Sequence, residues 1–238
     1  MKLPLLEKAL AASRSGRAAV LATNLKNGLQ TFIEATETAG DLTLDAAVLA
    51  AIRKAVTEDR NTTIETPDGP VFVEVFNPRL RMVIVGAVHI AQPLARMATL
   101  AGYGVTVIDP RTAFASDERF PDLTLSTDWP DEALDKLKPN RRTAIITLTH
   151  DPKLDDPALS VALRSDAFYV GALGSKKTHA ARCKRLAAQG FGESELARIH
   201  GPVGLDIGAV SPAEIAIAIL AQVTQVLRAE PQSDREAA

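Results

Sequence analysis

The sequence contains one cysteine, Cys183, and four histidines among 238 residues. A single thiol excludes an internal disulfide framework or a cysteine metal cluster, and fits a reducing compartment. Aromatic residues are only 4% of the chain while hydrophobic residues reach 46%, so a core must be mostly Ala, Val, Leu and Ile. Excess charge is also lacking: a net charge of −2 supplies no electrostatic reason to expect nucleic acid as a partner. No apolar run approaches the roughly 18 residues of a membrane span. The opening MKLPLLEKALAA starts like a signal peptide, but Pro4, Glu7 and Lys8 interrupt it too early. A soluble, cytoplasmic protein is therefore expected, long enough for two small domains.

Periodicity divides the chain. Residues 5–15 predict a helix stopped by Gly16, and AAVLATNL a strand. Asn27-Gly28 predicts a hairpin turn, because both residues tolerate positive φ, returning through LQTFIE. A turn is expected at Ala39-Gly40-Asp41 and a helix over 45–57. A second hairpin, TTIE and VFVEVF, turns through Pro67-Asp68-Gly69-Pro70. These elements make a small α+β domain over residues 1–77, with the boundary at Asn77-Pro78.

Beyond it the pattern changes. RMVIVGA is a continuous apolar run, the form of a strand buried on both faces of a parallel sheet. A helix near 90–101, strands VTVID and TAIITLT, a helix near 156–165, FYVGAL and a helix near 176–188 follow. Alternation of this kind predicts an α/β fold: a Rossmann-like parallel sheet with helices on both faces over 78–230, then a flexible tail at 231–238. Ligands of such a sheet bind outside the carboxyl ends of the strands.

Candidate site residues fall at those strand ends. The first turn reads Gly86-Ala87-Val88-His89-Ile90-Ala91. A dinucleotide fingerprint would want glycine at 86, 88 and 91 and finds only the first. Gly86 still allows the tight turn, but Val88 occupies space that a close pyrophosphate would need. Asp109 ends the next strand about 20 residues on, where a carboxylate takes a ribose diol, and Arg111 could instead admit a 2′-phosphate. His89 is either an exposed helix-start residue or a contact to an anion. Thr149-His150-Asp151 ends another buried strand and either makes a structural turn or orients a ligand; it lacks a third partner for a metal, so no metal site is assigned.

Gly171 and Gly174 precede Ser175, a fitting N-cap, and Lys176-Lys177. Lysines in a first helical turn oppose the helix dipole unless they serve an anion. Cys183 shares a stripe with Ala180 and Ala187 and is expected to point inward as a small apolar residue. The segment from Gly201 to Gly208 is either a backbone-lined ligand loop or a crossover. Ser211-Pro212-Ala213-Glu214 is a capping box that opens a helix through about Leu227.

VGAVHIAQPLA, VTVIDPR, TLTHDPKLDDPAL, YVGALGSKKTHAAR and IHGPVGLDIGAVSPAEIAIAILA together resemble, from about 81 to 228, the C-terminal domain of the XdhC/CoxI family. The resemblance implies a maturation factor that binds molybdenum cofactor (molybdopterin), supports its sulfuration and delivers it to an apo molybdenum hydroxylase. It also implies a cysteine desulfurase partner and a homodimer. In the wider family the first loop more often reads Gly-Ala-Gly-His, so Val88 is a departure. Many relatives carry a cysteine-bearing loop where this chain has Glu37-Thr38-Ala39-Gly40-Asp41-Leu42, and a sulfur-carrying role for that loop does not transfer. Two other readings stand beside this one: an NAD(P)-dependent oxidoreductase, for which no hydride-transfer residue is evident, and a scaffold joining desulfurase to hydroxylase.

Overall fold

The computed structural model describes residues 3–35 and 37–229 and divides between Arg79 and Leu80 into two compact units. The tail expected at 231–238 lies outside the described residues. In the first unit α1 (Leu3–Arg14) is followed by β1 (Ala19–Asn24), β2 (Gln30–Glu34), β3 (Glu37–Gly40), α2 (Ala46–Glu58), β4 (Thr62–Ile64) and β5 (Val71–Phe76). The strands form one antiparallel sheet in the order β3-β2-β1-β5-β4. Strand alternation sorts the apolar side chains onto two faces. Val20, Ala22, Val71 and Val73 cluster with Val48, Ile52 and Ala55 of α2, whereas Ala19 and Phe32 cluster with Ala9 and Ala12 of α1.

One sequence expectation holds and one changes here. The Asn27-Gly28 hairpin joins β1 to β2, with Gly28 at a φ of 75°. The connection also closes through the Asn24 carboxamide oxygen, which accepts from the backbone N–H groups of Lys26 and Asn27. Ala39-Gly40 belong to β3 rather than to a turn. A Cβ at Gly40 would lie 2.2 Å from the Gln30 carbonyl oxygen, so that glycine serves close approach to the neighbouring strand.

The second unit runs β6 (Arg81–Val85), α3 (Ala91–Leu100), β7 (Gly104–Ile108), β8 (Thr124–Ser126), α4 (Pro130–Leu137), β9 (Thr143–Thr147), α5 (Pro152–Arg164), β10 (Tyr169–Ala172), α6 (Lys176–Ala188), α7 (Glu193–Leu196), β11 (Ile199–His200) and α8 (Pro212–Leu227). All its strand pairs are parallel, in the order β11-β10-β9-β6-β7-β8. Numbered along the chain from β6, this is the doubly wound order 3-2-1-4-5-6 of dinucleotide-binding sheets. Helices cover both faces. Met82, Ile84, Ala144 and Ile146 pack with Leu94 of α3 and Ile219 of α8; Val83, Val85 and Ile145 pack with Leu134 of α4, Leu159 of α5 and Leu186 of α6. The strand order reverses between β6 and β9, which makes their carboxyl ends the expected ligand crevice.

The sequence reading leaves β8, α4, α7 and β11 unassigned and starts α5 four residues late. Asp151, the α5 N-cap, accepts from the Lys153 N–H, and Pro152 takes the first helical position, so the helix starts directly after the Thr149-His150-Asp151 segment. The α8 capping box forms as expected: Ser211 Oγ accepts from Glu214 N, and Glu214 Oε2 accepts from Ser211 N and Val210 N. Ser211→Ala should lower stability by about 1 kcal/mol in urea unfolding; an unchanged midpoint would mean the cap is energetically idle. Among the described residues no helix is long and apolar enough to cross a membrane.

Candidate functional site

The β6–α3 loop is held from beneath. Gly86 has φ of 105° and donates to the Ile108 carbonyl oxygen at 2.8 Å. A Cβ there would lie 2.5 Å from Thr149 Cγ2, so the β6–α3 and β9–α5 loops touch at the point where strand order reverses. Ala87 is fully buried. Val88 is half-buried and packs, with Ile90, against the apolar layer shared by α3 and α8. His89 is exposed. Ile90 sits at the start of α3 without a side-chain cap.

Asp109 is where the sequence places a ribose-binding carboxylate, yet it has no exposed surface. Its Oδ2 accepts from Ala87 N at 2.8 Å and from an Arg111 terminal nitrogen at 2.7 Å. Its Oδ1 accepts from Arg111 N at 3.0 Å and Arg111 Nε at 2.8 Å. Both oxygens are therefore hydrogen-bonded within the protein. Burial alone would raise the Asp109 carboxyl, but the hydrogen bonds from Arg111 and Ala87 outweigh it and hold the group below the ordinary carboxylate range. The Arg111 side chain remains 40% exposed, with its guanidinium 4.5 Å from the centre of the Phe114 ring.

In the β9–α5 loop His150 adopts φ of 62° and is exposed. A left-handed non-glycine residue costs of the order of 1 kcal/mol, and such strain gathers at functional loops. Thr149 donates its hydroxyl to Asp155 Oδ1 at 2.6 Å and accepts from Asp151 N at 3.1 Å. Burial, the largest influence on Asp155, raises its carboxyl, while Thr149 and Arg182 pull it partly back.

The β10–α6 loop shows what sequence reading missed. Ser175 caps α6 by accepting from Thr178 N, and Ser175, Lys176 and Lys177 are exposed. Gly171 leaves room for Val203, whose Cγ2 would be 2.6 Å from a Cβ, and Gly174, with φ of 142°, packs on Thr178. On α6 the buried pair is Arg182 and Leu186, not Cys183 with Ala180 and Ala187. Ala180 and Ala187 are exposed, and Cys183 is half-buried with Sγ 3.5 Å from His179 Nε2. The expected inward stripe fails because acidic partners on α5 draw the arginines in. Arg185 makes a two-pronged ion pair with the buried Asp156, and Arg182 faces Asp155 at 3.6 Å. One signal was available: a helix reading KKTHAARCKRLAA has too few large apolar residues to cover a sheet unless a charged residue goes inside.

The glycine-rich crossover is braced rather than open. Gly204 N and the Tyr169 hydroxyl both donate to Gln222 Oε1, at 2.8 and 2.6 Å. His200 stacks on Tyr169 with centroids 4.7 Å apart, and a Cβ at Gly201 would collide with the His179 ring. Burial lowers the pKa of both His179 and His200, with Arg182 adding to the effect on His179. The candidate residues thus converge at one sheet edge. His89, Arg111, His150 and Lys176 offer exposed nitrogen groups there, suited to an anionic ligand.

The sequence profile of the XdhC Rossmann domain matches residues 82–223. The chain belongs to the XdhC family. It is 31% identical over 156 residues to a Bacillus subtilis (strain 168) protein named as a probable xanthine dehydrogenase subunit, covering 65% of this chain and 45% of that protein. It is 32% identical over 151 residues to the molybdenum cofactor insertion chaperone PaoD of Escherichia coli (strain K12), covering 63% and 41% respectively. Against the uncharacterized protein YqeB of the same strain, identity is 33% over 166 residues, or 68% of this chain and 30% of that one. The aligned regions thus cover less than half of each of these curated relatives. A crystal structure of a Bacillus halodurans protein described as a xanthine dehydrogenase superposes with a TM-score of 0.72 at 27% identity, over 96% of this chain and 65% of the other.

Proposed function

We propose that this chain binds molybdenum cofactor as cargo and supports its insertion into a molybdenum hydroxylase of the xanthine or carbon-monoxide dehydrogenase type. The name of PaoD supports a maturation role, and that of the B. subtilis relative supports a link to xanthine dehydrogenase. One observation carries the choice of ligand class. Asp109 is sealed by Ala87 and Arg111, so the usual reader of a ribose diol is spent, while the nitrogen groups around it are exposed. A phosphate-bearing pterin suits that edge better than a nicotinamide dinucleotide. Sulfuration belongs to the same reading, with sulfur supplied by a partner cysteine desulfurase, because the loop Glu37–Leu42 has no thiol.

The test is anaerobic incubation with molybdenum cofactor released from a donor molybdoenzyme, followed by gel filtration and metal analysis. Molybdenum should co-elute with the protein, and the loaded protein should activate an apo hydroxylase. His89 and His150 are exposed and, among the described residues, have no side-chain hydrogen bond that would be lost, so His89→Gln combined with His150→Asn should leave melting nearly unchanged and weaken cofactor binding about tenfold. Asn at 150 preserves the left-handed backbone. No molybdenum uptake, together with tight binding of NADP(H), would replace this reading with a dinucleotide one.

A further inference from the structure

We infer that Arg182 is a positioning residue that ties the β10–α6 loop to the β9–α5 loop, so that both ligand-facing edges move as one unit. Arg182 is 1% exposed, and its Nη2 donates to the Leu173 carbonyl oxygen at 2.8 Å, at the start of the β10–α6 loop. The same guanidinium lies 3.6 Å from Asp155 Oδ2, and Asp155 is also 1% exposed. Asp155 Oδ1 then takes the Thr149 hydroxyl, and Thr149 in turn accepts from Asp151 N. A continuous path of polar contacts therefore runs from Leu173 to the α5 N-cap. Thr149 Cγ2 abuts Gly86, which extends the path to the β6–α3 loop.

Energetics separate this role from ordinary packing. Arg182 Nε and Nη1, Asp155 Oδ2 and Thr147 Oγ1 are buried without a hydrogen-bond partner. A desolvated cation with unmet donors is a poor way to stabilise a helix pair; apolar residues of similar volume do as well or better. Nor do α5 and α6 need Arg182 to stay together. Arg185 with Asp156 and Ser160 with Gln189 already link the same two helices. What Arg182 adds is a side-chain connection between the two loops.

The inference rests on the proposed function only for its ligand readout. Hydrogen exchange in the full chain tests the coupling itself, on Arg182→Met and on Arg182→Met with Asp155→Asn. The second variant leaves no unpaired buried charge and keeps an acceptor for Thr149, so it should melt within about 3 °C of the parent. In both variants, amides at 148–151 and 153 and at 173–178 should exchange about tenfold faster, and in Arg182→Met the first segment should do so although Arg182 does not touch it. Binding of released molybdenum cofactor should weaken about tenfold as well. Faster exchange confined to 173–178, with 148–153 protected as in the parent, would overturn the inference. If the parent takes up no molybdenum cofactor, the proposed function falls, and the exchange comparison still decides the role of Arg182.

Discussion

Asp109→Asn is expected to destabilise the second unit by about 2–4 kcal/mol, measured by urea unfolding. Four donors converge on the two carboxylate oxygens, and the side chain has no exposed surface. Asparagine keeps the shape but replaces one acceptor with a donor, leaving the Arg111 guanidinium and a backbone N–H, of Ala87 or of Arg111, facing an N–H group. The lower end of the range is favoured because Arg111 is 40% exposed and can turn its charge to water. The pH dependence has a defined sign. Because the folded carboxyl titrates below its ordinary value, its contribution is present above that value and lost as pH falls through the folded one. The stability gap between parent and variant should stay constant from about pH 7 to pH 5 and narrow below about pH 4. A gap under about 0.5 kcal/mol at neutral pH would show that the clamp contributes little.

Gly86→Ala should cost about 2–4 kcal/mol, from two sources. The φ of 105° is strained for any residue with a Cβ, and that Cβ would lie 2.5 Å from Thr149 Cγ2 and 3.2 Å from Thr149 N. Thr149→Ser removes the methyl group and keeps the hydroxyl bonded to Asp155, so it should return part of the loss. The φ strain and the backbone approach remain. A double-mutant cycle should give a favourable coupling of about 1 kcal/mol or more. Additive effects would mean that Gly86 is not there for Thr149, and would leave it the role of allowing the tight turn.

Both predictions concern residues that sequence reading picked for a different reason. Gly86 was legible as a tight turn and Asp109 as an acidic strand end, because each lies at a fixed offset from a continuous apolar strand. That Arg111 folds back onto Asp109, only two residues away, is a rotamer choice that no periodicity records. Cys183 failed for a related reason. Its stripe is as apolar as α6 offers, but burial on that helix is decided by Asp155 and Asp156, roughly 30 residues earlier on α5. The two-residue strand β11 and the three-residue strand β8 carry no pattern of their own and exist because neighbouring strands offer edges to them.

The sequence by itself determined the alternation of buried parallel strands with helices, the end of β6 at Gly86, the capped start of α8 and the family resemblance. Each of these is written in residues close together along the chain, where propensity, capping and apolar runs act locally. Tertiary structure alone decided that β11, β10, β9, β6, β7 and β8 lie in the doubly wound order, that Asp109 is closed, and that Arg182 is buried. Those outcomes depend on pairing between distant segments. A charged side chain goes inside only where a distant partner meets it, and the one-dimensional pattern does not contain that distance.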